Sequence, residues 1–329
     1  MNKRRAALLA AKIIFAGAVI AWLFHKVDAV RVWGRVRNAE LPPIFAGILL
    51  IIGTVVIAGW RWRRLLRIFG IEIPLKSLIC IAQIGQFFMM FLPGPTGDDL
   101  TRMLYISRLA PGHIGESCTT VLFDRLIGLA SVLALALCCI PMQWHLLSGT
   151  RETYWLAVGM LTAGGVAGVL GAAFFLLSRS GSHRLFAALL PLLPGASLKG
   201  EVMRMTGLLC ANKATIARVV IAAIGTQLLL CGVYCLAGIA VGVHAPASIW
   251  FSFVPIAIAA NAFPITVAGI GVREYLLVLF LGVLAHVPGE TALAASLLVL
   301  GMTLAVSLLG GAVYIVYRPK RDASAIDTT

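Results

Sequence analysis

Long apolar runs separated by short polar segments are the dominant pattern of this sequence. Six runs are long enough to cross a bilayer as helices, which takes about 20 apolar residues. These six predicted spans are residues 6–24, 44–60, 119–140, 154–177, 219–241 and 291–317. Two further apolar stretches, 78–109 and 249–284, are each interrupted near the middle. The pattern predicts an all-α polytopic membrane protein with about six full spans and two broken, re-entrant helical segments.

The two interruptions share one arrangement of residues. The first contains the helix breakers Pro93, Gly94 and Gly97, followed by Asp98, Asp99 and Arg102. The second contains Pro264, Gly269 and Gly271, followed by Arg273 and Glu274. In both, a proline precedes an arginine by nine residues.

Such interruptions have a restricted meaning inside a membrane. Irregular backbone is tolerated at that depth only where it is buried in protein or lines a wet cavity. Paired interrupted segments in the two halves of a chain point to a transporter binding site. We therefore predict that the two breaks meet near the middle of the bilayer and form a site there.

The distribution of basic residues predicts the orientation of the chain. If each broken segment returns to the side from which it came, twenty Lys and Arg residues fall on the side of the N-terminus and five on the other. Cytoplasmic loops are the ones enriched in Lys and Arg, so both termini are predicted to be cytoplasmic. The exception is the first outer loop, which has four basic residues: Lys26, Arg31, Arg35 and Arg37.

This orientation brings one broken segment in from the inside and the other from the outside. That is the arrangement of an inverted repeat, common among secondary transporters. We predict a single membrane domain over residues 1–320, with half-repeats 1–150 and 151–320, and a short polar tail, 321–329.

Composition supports the membrane assignment. Of the 329 residues 60% are hydrophobic and 12% charged, about half the charged share of soluble domains. The net charge of +14 lies mostly at the ends of apolar runs, so it indicates a membrane surface as partner rather than nucleic acid. The seven cysteines lie mostly within apolar runs and show no metal-ligand spacing, so neither a metal nor another cofactor is expected.

The first break allows two interpretations. If a helix restarts near Asp98, Asp98 and Asp99 lie in its first turn, where the helix dipole favours negative charge. The backbone N–H groups of 94–97 would then be available to an anion. Alternatively, Asp98 only caps the helix and Asp99 pairs with Arg102 one turn away. At the second break, the alternative to a binding role is a salt bridge between Arg273 and Glu274 that closes the loop.

Asp124 and Arg125 are ionisable residues within a predicted span. Such residues are costly in a membrane and usually face the bundle interior or a water-filled cavity. Neighbours on a helix point about 100° apart, so we expect Asp124 to reach an arginine of a break and Arg125 to meet a lipid phosphate. The alternative is that both side chains extend to the membrane surface, since they lie near the start of the span.

Three segments, taken in order, resemble the lysylphosphatidylglycerol synthase transmembrane-region family of flippase-like membrane proteins. They are Leu92–Arg102, Asp124–Leu129 and Ala268–Glu274. Asp98 and Ala268 stand where the family pattern has glycine. The resemblance implies a role in moving or handling lipid headgroups in the bacterial cytoplasmic membrane. It further implies a stand-alone membrane region, without the soluble aminoacyl-transferase domain of the larger relatives.

Two main functions are compatible with these features. The first is a lipid translocase in which Asp98, Asp99, Arg102, Asp124, Arg125, Arg273 and Glu274 contact the headgroup of an anionic, aminoacylated, glycosylated or polyprenyl-linked lipid. The second is a non-transporting subunit that presents lipid to a separate lipid-modifying enzyme and docks it through the basic connection 178–218. A third hypothesis is an intramembrane lipid-modifying enzyme whose turnover depends on Asp99 or Asp124. The sequence contains no Gly-x-Ser-x-Gly, His-Glu-x-x-His or Gly-Lys-Ser/Thr motif, which disfavours catalysis, and we predict no catalytic residues.

Glycines at 164, 165, 168 and 171 could pack one helix closely against another and so support a homodimer. Ordinary bundle interiors contain glycines at the same density. The sequence therefore leaves the oligomeric state open.

Overall fold

The computed structural model describes residues 29–91, 96–142, 211–262 and 271–317, together with isolated residues between 144 and 208. Within these ranges the regular elements are helical. They are α1 (Ala29–Arg37), α2 (Leu41–Ile68), α3 (Leu75–Phe91), α4 (Thr96–Leu109), α5 (Ile114–Met142), α6 (Lys213–Ala240), α7 (Ala247–Ala262), α8 (Val272–Ala285) and α9 (Gly289–Val316), with a 3₁₀ turn, Pro111–His113, between α4 and α5.

Four of these helices, α2, α5, α6 and α9, are long and apolar enough to cross a membrane. Each has 27 or 28 residues in its apolar helical stretch, which corresponds to about 40 Å at 1.5 Å per residue. The chain is thus a multi-pass membrane protein. The predicted span 6–24, most of 154–177, most of the connection 178–218 and the tail 321–329 lie outside the described residues.

The first broken segment forms a helical hairpin, with α3 and α4 side by side and antiparallel. Glycines permit the close approach of the two helices. A Cβ placed on Gly85 would collide with the Asp98 carboxylate, and a Cβ on Gly97 would lie 2.5 Å from the backbone oxygen of Phe88. The chain therefore returns to the end of the bundle from which it entered. Pro93 and Gly94, the predicted breakers, lie outside the described residues.

The second broken segment, α7 and α8, has the same form. The rings of Phe253 on α7 and Phe280 on α8 stack with centroids 5.5 Å apart. Gly271, the residue before α8, has a φ of 96°, a left-handed conformation that glycine adopts at little cost. Pro264 and Gly269 lie outside the described residues.

The two hairpins enter the bundle from opposite ends. The first hairpin follows the long helix α2, and the second follows the long helix α6. These two helices are antiparallel, as shown by the hydrogen bond from the Glu40 N–H, at the start of α2, to the Ala240 carbonyl, at the end of α6, at 2.9 Å. The end at which α2 finishes and α3 begins is called the first-hairpin end below. The opposite end, where α6 finishes and α7 begins, is called the second-hairpin end.

Helix α9 closes the bundle by packing against the first hairpin. The amide of Gln83 on α3 donates to the carbonyl of Val306 on α9 at 2.6 Å. Near this contact a Cβ on Gly310 would collide with the Gln83 carbonyl and lie 3.1 Å from the Phe87 side chain. Since the α9 backbone lies directly on α3 here, only glycine fits at position 310.

The structure corrects the end of the second predicted span. The segment Trp60–Arg64, with two tryptophans and three arginines, predicts that the helix ends near Trp60 in an aromatic and basic membrane anchor, whereas α2 continues to Ile68. The reason is that Trp62, Leu65, Leu66 and Phe69 are all buried, at the i, i+3, i+4, i+7 spacing of one helix face. The predicted anchor is therefore a continuation of α2, with Arg61 and Trp62 buried.

Alanine at Gly310 is expected to destabilise the protein by about 1–3 kcal/mol, the usual cost of overpacking. The same change at Gly301 on α9 provides the matched control, because a Cβ there meets nothing within 4 Å. Unfolding free energies in detergent measure both. Equal stability of the two variants would contradict the close α3–α9 contact.

Candidate functional site

A network of buried charges is centred on Asp124 of α5. Arg61 of α2 donates two hydrogen bonds to its carboxylate, Nε to Oδ1 at 2.5 Å and Nη2 to Oδ2 at 3.0 Å. Arg102 of α4 donates a third, from Nη1 to Oδ2 at 3.1 Å. Asp124 is 4% exposed, and both arginines are 7% exposed. Because an unpaired buried charge is very costly, these contacts hold α2, α4 and α5 together.

Arg102 also bonds to its own helix. Its Nε donates to Oδ1 of Asp98, one turn earlier, at 2.9 Å, and its guanidinium lies over the ring of Trp62 at 5.4 Å. The Trp62 indole N–H donates in turn to the hydroxyl of Thr120 at 3.1 Å. Four charged residues, Arg61, Asp98, Arg102 and Asp124, form what is called the first ion cluster below.

The neighbouring pair lies nearer the surface. Arg125 Nη1 contacts Asp99 Oδ2 at 2.9 Å, and their side chains are 37% and 22% exposed. The expectation that Asp124 reaches an arginine of a break is confirmed by its bond to Arg102. The alternative in which Asp99 pairs with Arg102 is wrong: Asp98 bonds Arg102, while Asp99 bonds Arg125 on the next helix.

The sequence predicts Arg61 only as part of the basic anchor Trp60–Arg64 at the membrane surface, and it does not predict the role of Arg61 in the first ion cluster. The apolar residues that follow it at helical spacing could have revealed it. They extend the helix past Arg61 and bury the face that includes Trp62. An arginine inside a spanning helix needs a carboxylate partner, and Asp124 is the acidic residue of the predicted span 119–140.

A second ion cluster lies at the start of α8 and consists of Tyr234, Arg273, Glu274 and Ser296. Arg273 donates from Nε and Nη2 to Oε1 of Glu274 at 3.0 and 2.5 Å. The hydroxyl of Ser296 on α9 donates to the same oxygen at 3.3 Å, and Tyr234 of α6 is hydrogen-bonded to Arg273. Arg273 and Glu274 are 7% and 2% exposed. The salt bridge suggested as an alternative to a binding role is therefore present.

Glu274 also fixes the backbone at the break. The N–H of Gly271 donates to Oε2 of Glu274 at 2.6 Å, which satisfies one of the donors left open at a helix start. At the first break the Gly97 carbonyl accepts the Thr101 hydroxyl at 2.7 Å. Gly271 and Gly97 thus serve the local geometry of the two hairpins.

One cavity connects the two ion clusters. Its volume is about 310 Å³, and its walls are formed by α2, α3, α4, α6, α7, α8 and α9. Arg102 of the first hairpin and Arg273 of the second both line it. The other polar lining residues are Thr54, Gln86, Thr226, Tyr234 and Thr303. An arginine from each of the two hairpins therefore borders the same cavity.

The cavity contains both donors and acceptors. Because arginine only donates hydrogen bonds, the Tyr234 hydroxyl accepts from Arg273. The proton of the Tyr234 hydroxyl is then available to a ligand. The hydroxyls of Thr54, Thr226 and Thr303 donate to carbonyls of their own helices, so their oxygens remain acceptors. A ligand that has both anionic and hydroxyl or amine groups matches this lining.

Replacing Asp124 with Asn is expected to lower the unfolding free energy by about 3–5 kcal/mol, because Arg61 and Arg102 lose a buried partner. The double variant Arg61→Gln/Asp124→Asn should be less destabilised, since Arg102 keeps Asp98. In contrast, Arg125→Gln breaks a more exposed pair and should cost about 1 kcal/mol or less. Chemical unfolding in detergent compares the variants. A smaller loss in D124N than in R125Q would contradict the network.

Comparison with known proteins agrees with the resemblance found in the three sequence segments. Residues 9–311 match the protein family described as Lysylphosphatidylglycerol synthase TM region. A search of curated proteins finds no match. The family match covers most of the 329 residues. This protein therefore belongs to the lysylphosphatidylglycerol synthase TM-region family.

Proposed function

We propose that this protein is a lipid translocase whose central cavity receives the headgroup while the acyl chains stay in the bilayer. The observation that supports this most strongly is that Arg102 and Arg273, from the two hairpins, line the same cavity of about 310 Å³. The headgroup is anionic or aminoacylated, or belongs to a glycolipid or a polyprenyl-linked lipid. Family membership supports a lipid substrate.

The arginines supply the attraction for phosphate. A guanidinium binds phosphate through parallel N–H donors, and electrostatic attraction is stronger in an apolar bundle than in water. Arg102 uses Nε and Nη1 for Asp98 and Asp124, and no described residue accepts from its Nη2. This nitrogen is therefore the donor that we assign to the headgroup phosphate.

The carboxylates have a positioning role in this proposal. Asp98 and Asp124 hold Arg102 from two helices, and Glu274 holds Arg273. Asp99 and Arg125 form the more exposed pair, which places Arg125 where a phosphate can contact it first. With an aminoacylated lipid, the same carboxylates would attract the ammonium group.

The two hairpins suggest how the cavity is opened to each side. They enter from opposite ends, and each brings an arginine to the cavity. This arrangement supports an inverted repeat of 1–150 and 151–320 within a single membrane domain 1–320. Movement of one hairpin at a time would expose the site alternately, as in other transporters built from inverted repeats.

We also propose that the first-hairpin end faces the cytoplasm of a bacterial inner membrane. Basic residues are concentrated at that end of the described bundle: Arg63, Arg64, Arg67, Lys76, Arg108, Lys213 and Arg218. Cytoplasmic loops have such an excess. Both termini would then be cytoplasmic, with membrane lipids as the main partners.

Proteoliposomes that contain purified protein and a headgroup-labelled anionic phospholipid test the proposal. Wild type should move the label across the bilayer, and Arg102→Ala and Arg273→Ala should each slow this movement at least tenfold. Arg102→Lys and Arg273→Lys should retain part of it, since lysine keeps the charge but loses the planar fork. The matched control is Arg108→Ala on α4, whose side chain is exposed and away from the cavity.

Two results would contradict the proposal. If folded R102A and R273A move lipid as fast as wild type, the cavity is not the site. If folded wild type moves none of the lipid classes named above, the non-transporting subunit is the better account. Co-purification of a separate lipid-modifying enzyme would then support that second function.

A further inference from the structure

A second, larger pocket lies at the second-hairpin end, far from the two ion clusters. Its volume is about 580 Å³, within the range of about 300–1,000 Å³ typical of small-molecule sites. It is bordered by α1, by the end of α6 and by the start of α9. None of its lining residues belongs to the translocation site proposed above.

Helix α1 presents a polar face to this pocket. Arg31, Gly34, Arg35 and Asn38 line it at the i, i+3, i+4, i+7 spacing of one helix face. The helix is held in place by Val32, which is buried in the apolar core. Helix α1 is therefore packed against the core while two of its guanidinium groups, those of Arg31 and Arg35, line the pocket.

These arginines account for part of an anomaly in the sequence. The first outer loop has more basic residues than the topology rule predicts for that side. Arg31 and Arg35 both line the pocket, and Arg35 has no ion-pair partner among the described residues. A ligand-binding role gives these charges a physical reason to be there.

The pocket also contains negative charge. Glu40 and Glu290 line it, and Arg31 Nη1 forms an ion pair with Glu290 Oε1 at 3.6 Å. In addition, α6 ends and α9 begins at this pocket. The negative end of the α6 dipole and the positive end of the α9 dipole therefore both lie beside it. This arrangement of positive and negative charge suits a ligand that has one group of each sign.

The surroundings place the pocket at the level of lipid headgroups. Trp33 of α1 is 68% exposed, and exposed tryptophan is typical of the membrane–water interface. Helix α2 begins directly after the pocket residue Glu40. Its residues Leu41, Phe45 and Leu49 are also exposed, at a spacing of four residues along one side of the helix. Acyl chains can lie along this stripe while the headgroup occupies the pocket.

We propose that this pocket binds the headgroup of a zwitterionic phospholipid, with its phosphate at Arg31 and Arg35 and its ammonium at Glu40 and Glu290. The ligand class is a phosphate ester with a primary ammonium group and two acyl chains. Binding here does not depend on transport through the central cavity. The two proposals can therefore fail separately.

Gly34 offers a test that leaves the charges intact. A Cβ at this position meets nothing within 4 Å, so a larger side chain would extend into the pocket without a clash. Leucine also favours a helix more than glycine does. Gly34→Leu should thus fold at least as well as wild type and place an apolar side chain between Arg31 and Arg35, where the phosphate would bind.

The experiment measures binding to the whole chain in detergent by calorimetric titration. The probes are short-chain phosphatidylethanolamine, short-chain phosphatidylglycerol, glycerophosphoethanolamine and inorganic phosphate. Wild type should bind phosphatidylethanolamine at least tenfold more tightly than each other probe, because only that lipid has phosphate, ammonium and acyl chains together.

The variants separate the parts of the site. Arg35→Gln should weaken the binding of phosphatidylethanolamine at least tenfold, and Gly34→Leu should abolish it. Glu40→Gln should weaken the binding of phosphatidylethanolamine and strengthen the binding of phosphatidylglycerol. The reason is that it removes a negative charge that attracts ammonium and repels phosphate. Arg37→Gln is the matched control, because Arg37 is exposed on α1 but does not line the pocket, and it should bind as wild type does.

Several outcomes would overturn the proposal. Equal affinity for the two lipids would show an anion site with no selectivity for ammonium. Equal affinity for inorganic phosphate would show a site for a free anion. Unchanged binding in folded G34L would place the lipid elsewhere on the protein.

Discussion

The need to pair buried charges is the constraint on which this structure depends. Asp124 lies inside a spanning helix, where an isolated carboxylate would be very unfavourable, and it is stabilised by two arginines from two other helices. One of these, Arg102, reaches Asp124 only because α4 folds back against α3. The break in the first hairpin and the charges of the bundle are therefore parts of one arrangement.

Close backbone contacts make the pairing possible. Asp98 fits beside α3 because residue 85 is glycine, and α9 lies on α3 because residue 310 is glycine. At the second hairpin, Glu274 bonds both the Gly271 N–H and Arg273, so one carboxylate fixes the helix start and the guanidinium together. In each hairpin the local backbone and the position of the arginine are determined by the same few contacts.

A translocase of the proposed kind must accept a polar headgroup without letting polar groups face the hydrocarbon. Here the charged residues at the hairpins are compensated before any ligand binds, and most of them face inward. A headgroup phosphate would bind through a donor that the carboxylates do not use, Nη2 of Arg102, so its binding need not leave a buried charge unpaired. The pocket on α1 offers a different balance, with both signs of charge near the protein surface. The proposed roles of the two sites follow from this difference in burial.

The residue pattern correctly predicted the class of the protein, four of the long apolar spans, the positions of the two breaks and the family. It also identified the breaks, with Asp124, as the places where charges are concentrated. These features are local, since hydropathy, proline and glycine act through the backbone of their own segment. The partners of each charge were decided by the tertiary structure. Asp98 rather than Asp99 bonds Arg102, and Arg61 joins Asp124 across 63 positions of sequence. Such pairings depend on which helix faces meet, and helices far apart in the chain meet only once the bundle is packed.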